Sequence, residues 1–157
     1  MPSLRQLGTP PETAIAAIRR DSSRAGCLYA AIMDNAALND PQTLDTIAQD
    51  FPTGLLPLED IYLLLVECVA NAVCHGDAEA LGLCARRRGD VLLLSFLQMP
   101  SLPPPAKAAL ARGRTGWLPD YNEDATGGLG FPILLRLCHG ITLAHDLSRL
   151  RLWFRLK

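Results

Sequence analysis

The chain has 157 residues, enough for one domain around one core, and 49% of them are hydrophobic. Fifteen Lys and Arg against sixteen Asp and Glu leave a formal net charge of −1, which excludes a global pull toward nucleic acid or acidic lipid. The longest apolar run, around Ile61–Val66, is far too short to span a membrane. "MPSLRQLGTPPET" holds no apolar signal core, and five cysteines without a C-x-x-C pair read as reduced thiols, so the expectation is a cytoplasmic protein.

In chain order, Pro10 and Pro11 precede "ETAIAAIRRDSSR", a predicted helix with Ile15 and Ile18 on one face. Cys27–Asn35 fits a strand or a helix equally well, and the role of residues 1–35 stays open. Asp40 reads as an N-cap with Pro41 at the first helical position, opening a helix with Leu44, Ile47, Ala48 and Phe51 at helical spacing. A longer helix opens at Pro57, with Glu59 and Asp60 in its first turn. It is apolar nearly all round to Val73, so a mostly buried helix is expected, and Gly76 is placed to stop it. Ala80–Arg87 and Val91–Leu97 flank Arg88-Gly89-Asp90, the pattern of a hairpin closed by a two-residue turn. "MPSLPPPA" is a stiff connector, "AKAALAR" a short helix, and "GRTGWLPDYNEDATGG" a long irregular loop of the kind that carries function. Phe131–Cys138 reads as a helix with Pro132 near its start; "ITLAH" and "RLRLWFRL" read as closing strands. Hairpins demand antiparallel pairs. The expected fold is therefore α/β (α+β), a single-domain, two-layer sandwich over 1–157, with a mostly antiparallel mixed sheet and helices on one face.

Glu67, Asn71 and His75 stand four apart in "ECVANAVCHG" and form one polar stripe on a largely apolar helix. Two readings are open. Neighbouring backbone satisfies these groups, or they form a divalent-metal and phosphate site, with an Asn oxygen as a hard ligand and a carboxylate to polarise a water or hydroxyl. "TGGLGF" (Thr126–Phe131) then leads into a helix, where glycine amides and a helix N-terminus favour anions.

E-x-x-x-N-A-x-x-H-G followed by G-x-G resembles the histidine-kinase-like (Bergerat-fold) ATPases. The short length and "LEDIYLLLVECVANAVCHG" resemble most their anti-sigma-factor serine kinases. The resemblance runs from about Asp40 to the C-terminus. It implies a Bergerat-type ATP-binding fold and Mg-ATP as cofactor. Glu67 would be the general base and Asn71 the Mg²⁺ ligand. His75 and Gly76 would line the phosphate end, and Gly128, Leu129, Gly130 and Phe131 would hold phosphates. Residues 112–127 would form a lid. Where the family has D-x-G-x-G, with its Asp receiving the adenine amino group, this chain reads "FLQMPSLP": Gln98 falls near the Asp position and Pro100 near the first Gly. The implied partners are a sigma factor and a small antagonist phosphorylated on serine. The alternative is a nucleotide-independent module that keeps the fold and acts by binding protein alone.

Two other patterns carry candidate chemistry. Cys74-His75 and Cys138-His139 have zinc-ligand chemistry, but their spacing matches no common finger. The last strand alternates strictly: Arg149, Arg151, Trp153, Arg155 and Lys157 share one face, Leu150, Leu152, Phe154 and Leu156 the other. The basic face, centred on a Trp, is expected to point away from the helices and to serve a homodimer or partner contact rather than nucleic acid.

Overall fold

The computed structural model describes residues 3–74, 79–99, 138–143 and 149–156, with the backbone alone at 70–74, 99, 142 and 143. Among them the elements run β1 (Leu4–Leu7), α1 (Glu12–Ser22), β2 (Cys27–Asp34), α2 (Asn35–Leu38), α3 (Pro41–Asp50), α4 (Leu58–Cys74), β3 (Ala80–Arg88), β4 (Val91–Met99), β5 (Gly140–Leu143) and β6 (Arg149–Arg155). The strands form one open six-stranded sheet in the order β1-β2-β3-β4-β6-β5. Only the β1–β2 pair is parallel; the other four are antiparallel. The α+β class and the mainly antiparallel mixed sheet are therefore as expected.

Local chemistry explains most boundaries. Glu12 lies in the first turn of α1 and Arg19 and Arg20 in its last, each charge complementing the helix dipole. Asp40 caps α3, its side chain accepting from the Gln42 N–H, with Pro41 just inside. Asp34 does the same for α2, accepting from Ala37 N–H at 2.8 Å. Arg88 pairs with Val91, so Gly89-Asp90 is the two-residue turn, with Gly89 at φ 61°. β6 keeps the predicted register: Leu150, Leu152 and Phe154 are buried, Arg149, Arg151 and Trp153 are half-buried, and Arg155 is exposed.

Three expectations need correction. The helices do not all lie on one face. Ile47 and Ala48 of α3 and Ile61, Leu64, Leu65, Cys68 and Val69 of α4 join a core with Ala31, Met33, Leu81, Leu83, Leu92, Leu94 and Phe96. Ala14, Ile15 and Ile18 of α1 pack instead with Ala30, Ile32, Ala80 and Leu97, the alternate residues of β2, β3 and β4, and so lie on the opposite face. Gly82 makes that seat: a Cβ there would run into the Ile18 side chain. Arg149, Arg151 and Trp153 of β6 turn to this same face, so the basic face does not point away from all the helices as expected: Arg149 pairs with Asp21 of α1 at 3.1 Å. Nor is α4 buried all round. Its buried residues follow i, i+3, i+4, i+7, i+8 spacing, while Tyr62 and Leu63 are exposed because α4 covers the sheet with one side only.

The segment 27–34 is a strand, resolving the ambiguity of the sequence. β1 and the single-turn α2 were not anticipated. Among the described residues no helix is long and apolar enough to cross a membrane. The expected connector and short helix between 100 and 112, and the helix over 131–137, lie outside the described residues.

Candidate functional site

Of the side chains expected at the site, the structure describes Glu67, on α4, and Gln98, on the α3–α4 side of the sheet. α4 carries Glu67 and Asn71 one helical turn apart. Glu67 stands at the border of the buried stripe and is itself half-buried. Partial burial pushes its carboxyl above the usual range, because leaving water disfavours the charged form. For Asn71 the structure describes the helical backbone. His75, Gly76, Gly128, Leu129, Gly130, Phe131 and the expected lid over 112–127 lie outside the described residues.

Gln98 is the other described member. It sits near the end of β4, opposite Leu81 of β3. Leu92, Leu94 and Phe96 belong to the core beneath α3 and α4, so alternation turns Gln98 to the same side. It is 7% exposed. Among the described residues no group hydrogen-bonds its amide. A primary amide offers two donors and a two-lone-pair acceptor, and leaving such a group buried without a partner costs about 1–3 kcal/mol. The sheet thus directs a neutral, bidentate group, without a partner among the described residues, to the same face as α4. Such a group suits the edge of a heterocyclic base, which presents a donor beside an acceptor.

A groove of about 320 Å³ lies between the end of α3 and the start of α4, lined by Phe51, Pro52, Leu56, Leu58 and Ile61 among others. It is apolar and carries no titratable side chain. Among the described residues no group of three or more His, Cys, Asp or Glu is arranged to hold a metal ion. Cys74 and His75, half of the zinc pattern, fall outside the side chains described. In the other half, the Nδ1 of His139 accepts from the Arg155 N–H at 3.0 Å, and its ring stacks on Trp153 at 6.0 Å.

The opposite face holds features the sequence reading did not assemble. Arg149 pairs with Asp21 at 3.1 Å, tying β6 to the end of α1. Asp21, Arg24, Arg86, Arg149 and Arg151 surround one small cleft, with Cys84 in its lining. Alternation in the last strand announced two of these arginines; the other two come from α1's exit and from β3, and only the sheet order brings them together.

No protein-family model matches this sequence, and no curated protein matches it.

Proposed function

We propose that this chain is a nucleotide-binding regulatory domain of the histidine-kinase-like type, resembling anti-sigma-factor serine kinases. The observation that carries the reading is Gln98, a buried amide on the α4 side of the sheet with no partner among the described residues, close to where the resemblance puts adenine recognition. The fit extends to Glu67, whose raised carboxyl pKa brings it nearer to the operating pH of a proton acceptor.

In this reading Gln98 holds the base edge, Asn71 holds Mg²⁺, and the amides of Gly128–Phe131 with His75 and Gly76 hold the phosphates. When bound, Mg-ATP supplies an activated γ-phosphoryl group. Glu67 accepts the proton of an approaching serine hydroxyl, helped by its partial exclusion from water. The protein partners are a sigma factor, held by the domain, and a small antagonist that carries the serine. The basic sheet face around Arg151 and Trp153 is the proposed surface for a protein partner or a second copy.

One observation favours a second reading. Gln98 is neutral and one methylene longer than the Asp of the family motif, and Pro100 replaces a glycine. A charged acceptor is worth roughly 1.5–3 kcal/mol, so its loss weakens ATP by about ten- to a hundredfold. Taken further, the domain binds its protein partner without nucleotide turnover.

Calorimetric titration of Mg-ATP into the parent chain and Asn71→Ala separates the readings. Magnesium-dependent binding in the parent, lost in a variant that still folds, is the expected result. An equal response in both refutes the metal role, and no response in either leaves the nucleotide-independent module.

A further inference from the structure

Cys27 and Cys84 stand on neighbouring antiparallel strands. Cys27 pairs with Arg86, but Tyr29 pairs with Ala85, so Leu28 is the extra residue of a β-bulge. In an unbroken strand, positions 27 and 30 would face opposite sides. The bulge places Cys27 on the side of Ala30 and Cys84 instead. The two Sγ atoms lie 3.6 Å apart, and both thiols are free.

Access differs between the two. Cys84 is 1% exposed and Cys27 is half-buried at the start of its strand. Cys84 also lines the cleft bounded by Arg24, Arg86, Arg149 and Arg151, whose volume of about 20 Å³ suits a molecule the size of water. Four arginines and one acid, Asp21, line it, and Arg149 engages Asp21.

We propose that Cys27 and Cys84 are a hydroperoxide-oxidised dithiol that closes to a disulfide between β2 and β3. The Cys27 sulfur attacks the peroxide oxygen, breaking the O–O bond; it becomes a sulfenic acid, and the departing hydroxide takes the thiol proton to leave as water. The Cys84 sulfur then attacks the Cys27 sulfur, forming the S–S bond and expelling hydroxide, which leaves as water with the Cys84 proton. Two thiols are oxidised by two electrons and one peroxide is reduced to two waters. The order follows from access. Cys27 is the half-buried thiol and Cys84 the fully buried one, so peroxide meets Cys27 first; burial, with Cys27 alongside and Asp21 nearby, also pushes the Cys84 thiol up to about 12 against the pull of Arg86. Closure brings the sulfurs from 3.6 Å to a bond of about 2.05 Å.

The test uses the full chain, fully reduced, titrated with hydrogen peroxide and read by intact mass and peptide mapping without reductant. The expected result is loss of two hydrogen atoms from the monomer, two of the five thiols no longer alkylated, and one linked peptide pair containing Cys27 and Cys84, all reversed by dithiothreitol. Cys27→Ser should lose the linkage. Cys84→Ala should lose it too but trap Cys27 as a sulfenic acid that dimedone labels; it also covers the case where one variant fails to fold. A linkage mapped to other cysteines, a disulfide between chains, or Cys27 and Cys84 both still alkylated after peroxide treatment overturns the proposal.

Discussion

Replacing Gln98 by Met tests whether its amide waits for a ligand. Gln98 is 7% exposed and faces the core that holds Leu81 and Phe96. Its amide finds no hydrogen-bond partner among the described residues. Met is unbranched, similar in length and apolar, so it fills the same space without the orphaned group. Removing an unsatisfied buried amide should stabilise the nucleotide-free chain by about 1–3 kcal/mol. With 2 kcal/mol as the middle value, and about 2–4 °C per kcal/mol for a chain of this size, the melting temperature should rise by roughly 4–8 °C. The assay is a thermal melt followed by circular dichroism, without nucleotide and then with excess Mg-ATP. Mg-ATP should raise the melting temperature of the parent and leave that of Gln98→Met nearly unchanged. A variant that melts lower than the parent without nucleotide would show that the amide is already bonded and structural. An equal gain from Mg-ATP in both proteins would refute base recognition at this position.

Three further outcomes are expected. The double change Gln98→Asp with Pro100→Gly should tighten adenine nucleotides by about ten- to a hundredfold while leaving inorganic phosphate affinity nearly unchanged; equal gains for both, read by calorimetry, would count against an adenine subsite. Glu67 holds its proton more tightly folded than unfolded, because burial raises its pKa. Its contribution is therefore fully present below the ordinary carboxyl pKa and lost as pH rises through the raised value. Glu67→Gln should then out-melt the parent at neutral pH, with the gap closing on acidification below the ordinary value of 4.5, and a gap independent of pH would contradict the assignment. Gly8 has φ 76°, and a Cβ there would strike the Asp34 carboxylate that accepts from Thr9 and Ala37 N–H. Gly8→Ala should destabilise the chain by more than about 1 kcal/mol in urea unfolding, and an unchanged midpoint would show that β1 and α2 are not joined through this contact.

What could be read from the sequence was what neighbours in the chain decide. Asp40-Pro41 marks a helix start because capping acts over two or three residues. Gly89-Asp90 marks a turn because only the two turn residues need its geometry. The alternation of β6 fixes its faces for the same local reason. The misses depend on distant partners. β1 is four residues long with an unremarkable pattern, and parallel pairing to β2 makes it a strand. α1 is visibly amphipathic, but which sheet face receives it depends on where a seat exists, and Gly82 in β3 supplies one. α4 is apolar on nearly every side, yet burial follows the area of sheet available to it, so Tyr62 and Leu63 stay exposed. Within the site, Glu67 and Asn71 could be picked out by spacing alone. Gln98 could not: only the resemblance pointed to it, and its burial, with no partner among the described residues, appears only once β4 is placed in the sheet.

The two faces of the sheet treat their polar groups differently. On the α1 side, Asp21 is buried but paired with Arg149, and Ser22 donates its hydroxyl to the Arg19 carbonyl. Arg86 donates to the Ala25 carbonyl through two nitrogens. Their exchange of water for protein partners leaves little cost. On the α4 side, Thr43 buries one hydroxyl, Gln98 buries a whole amide without a partner among the described residues, and Glu67 holds a carboxyl that partial burial makes harder to ionise. Apolar residues at 67 and 98 would pack against the same helix and strand at no such cost, so these two side chains work against stability where they stand. Polar groups that lower stability are most economically explained by a ligand that satisfies them. Here they share a face with Asn71's helix, which argues for a site on this side of the sheet and leaves the arginine-rich side for contacts of another kind.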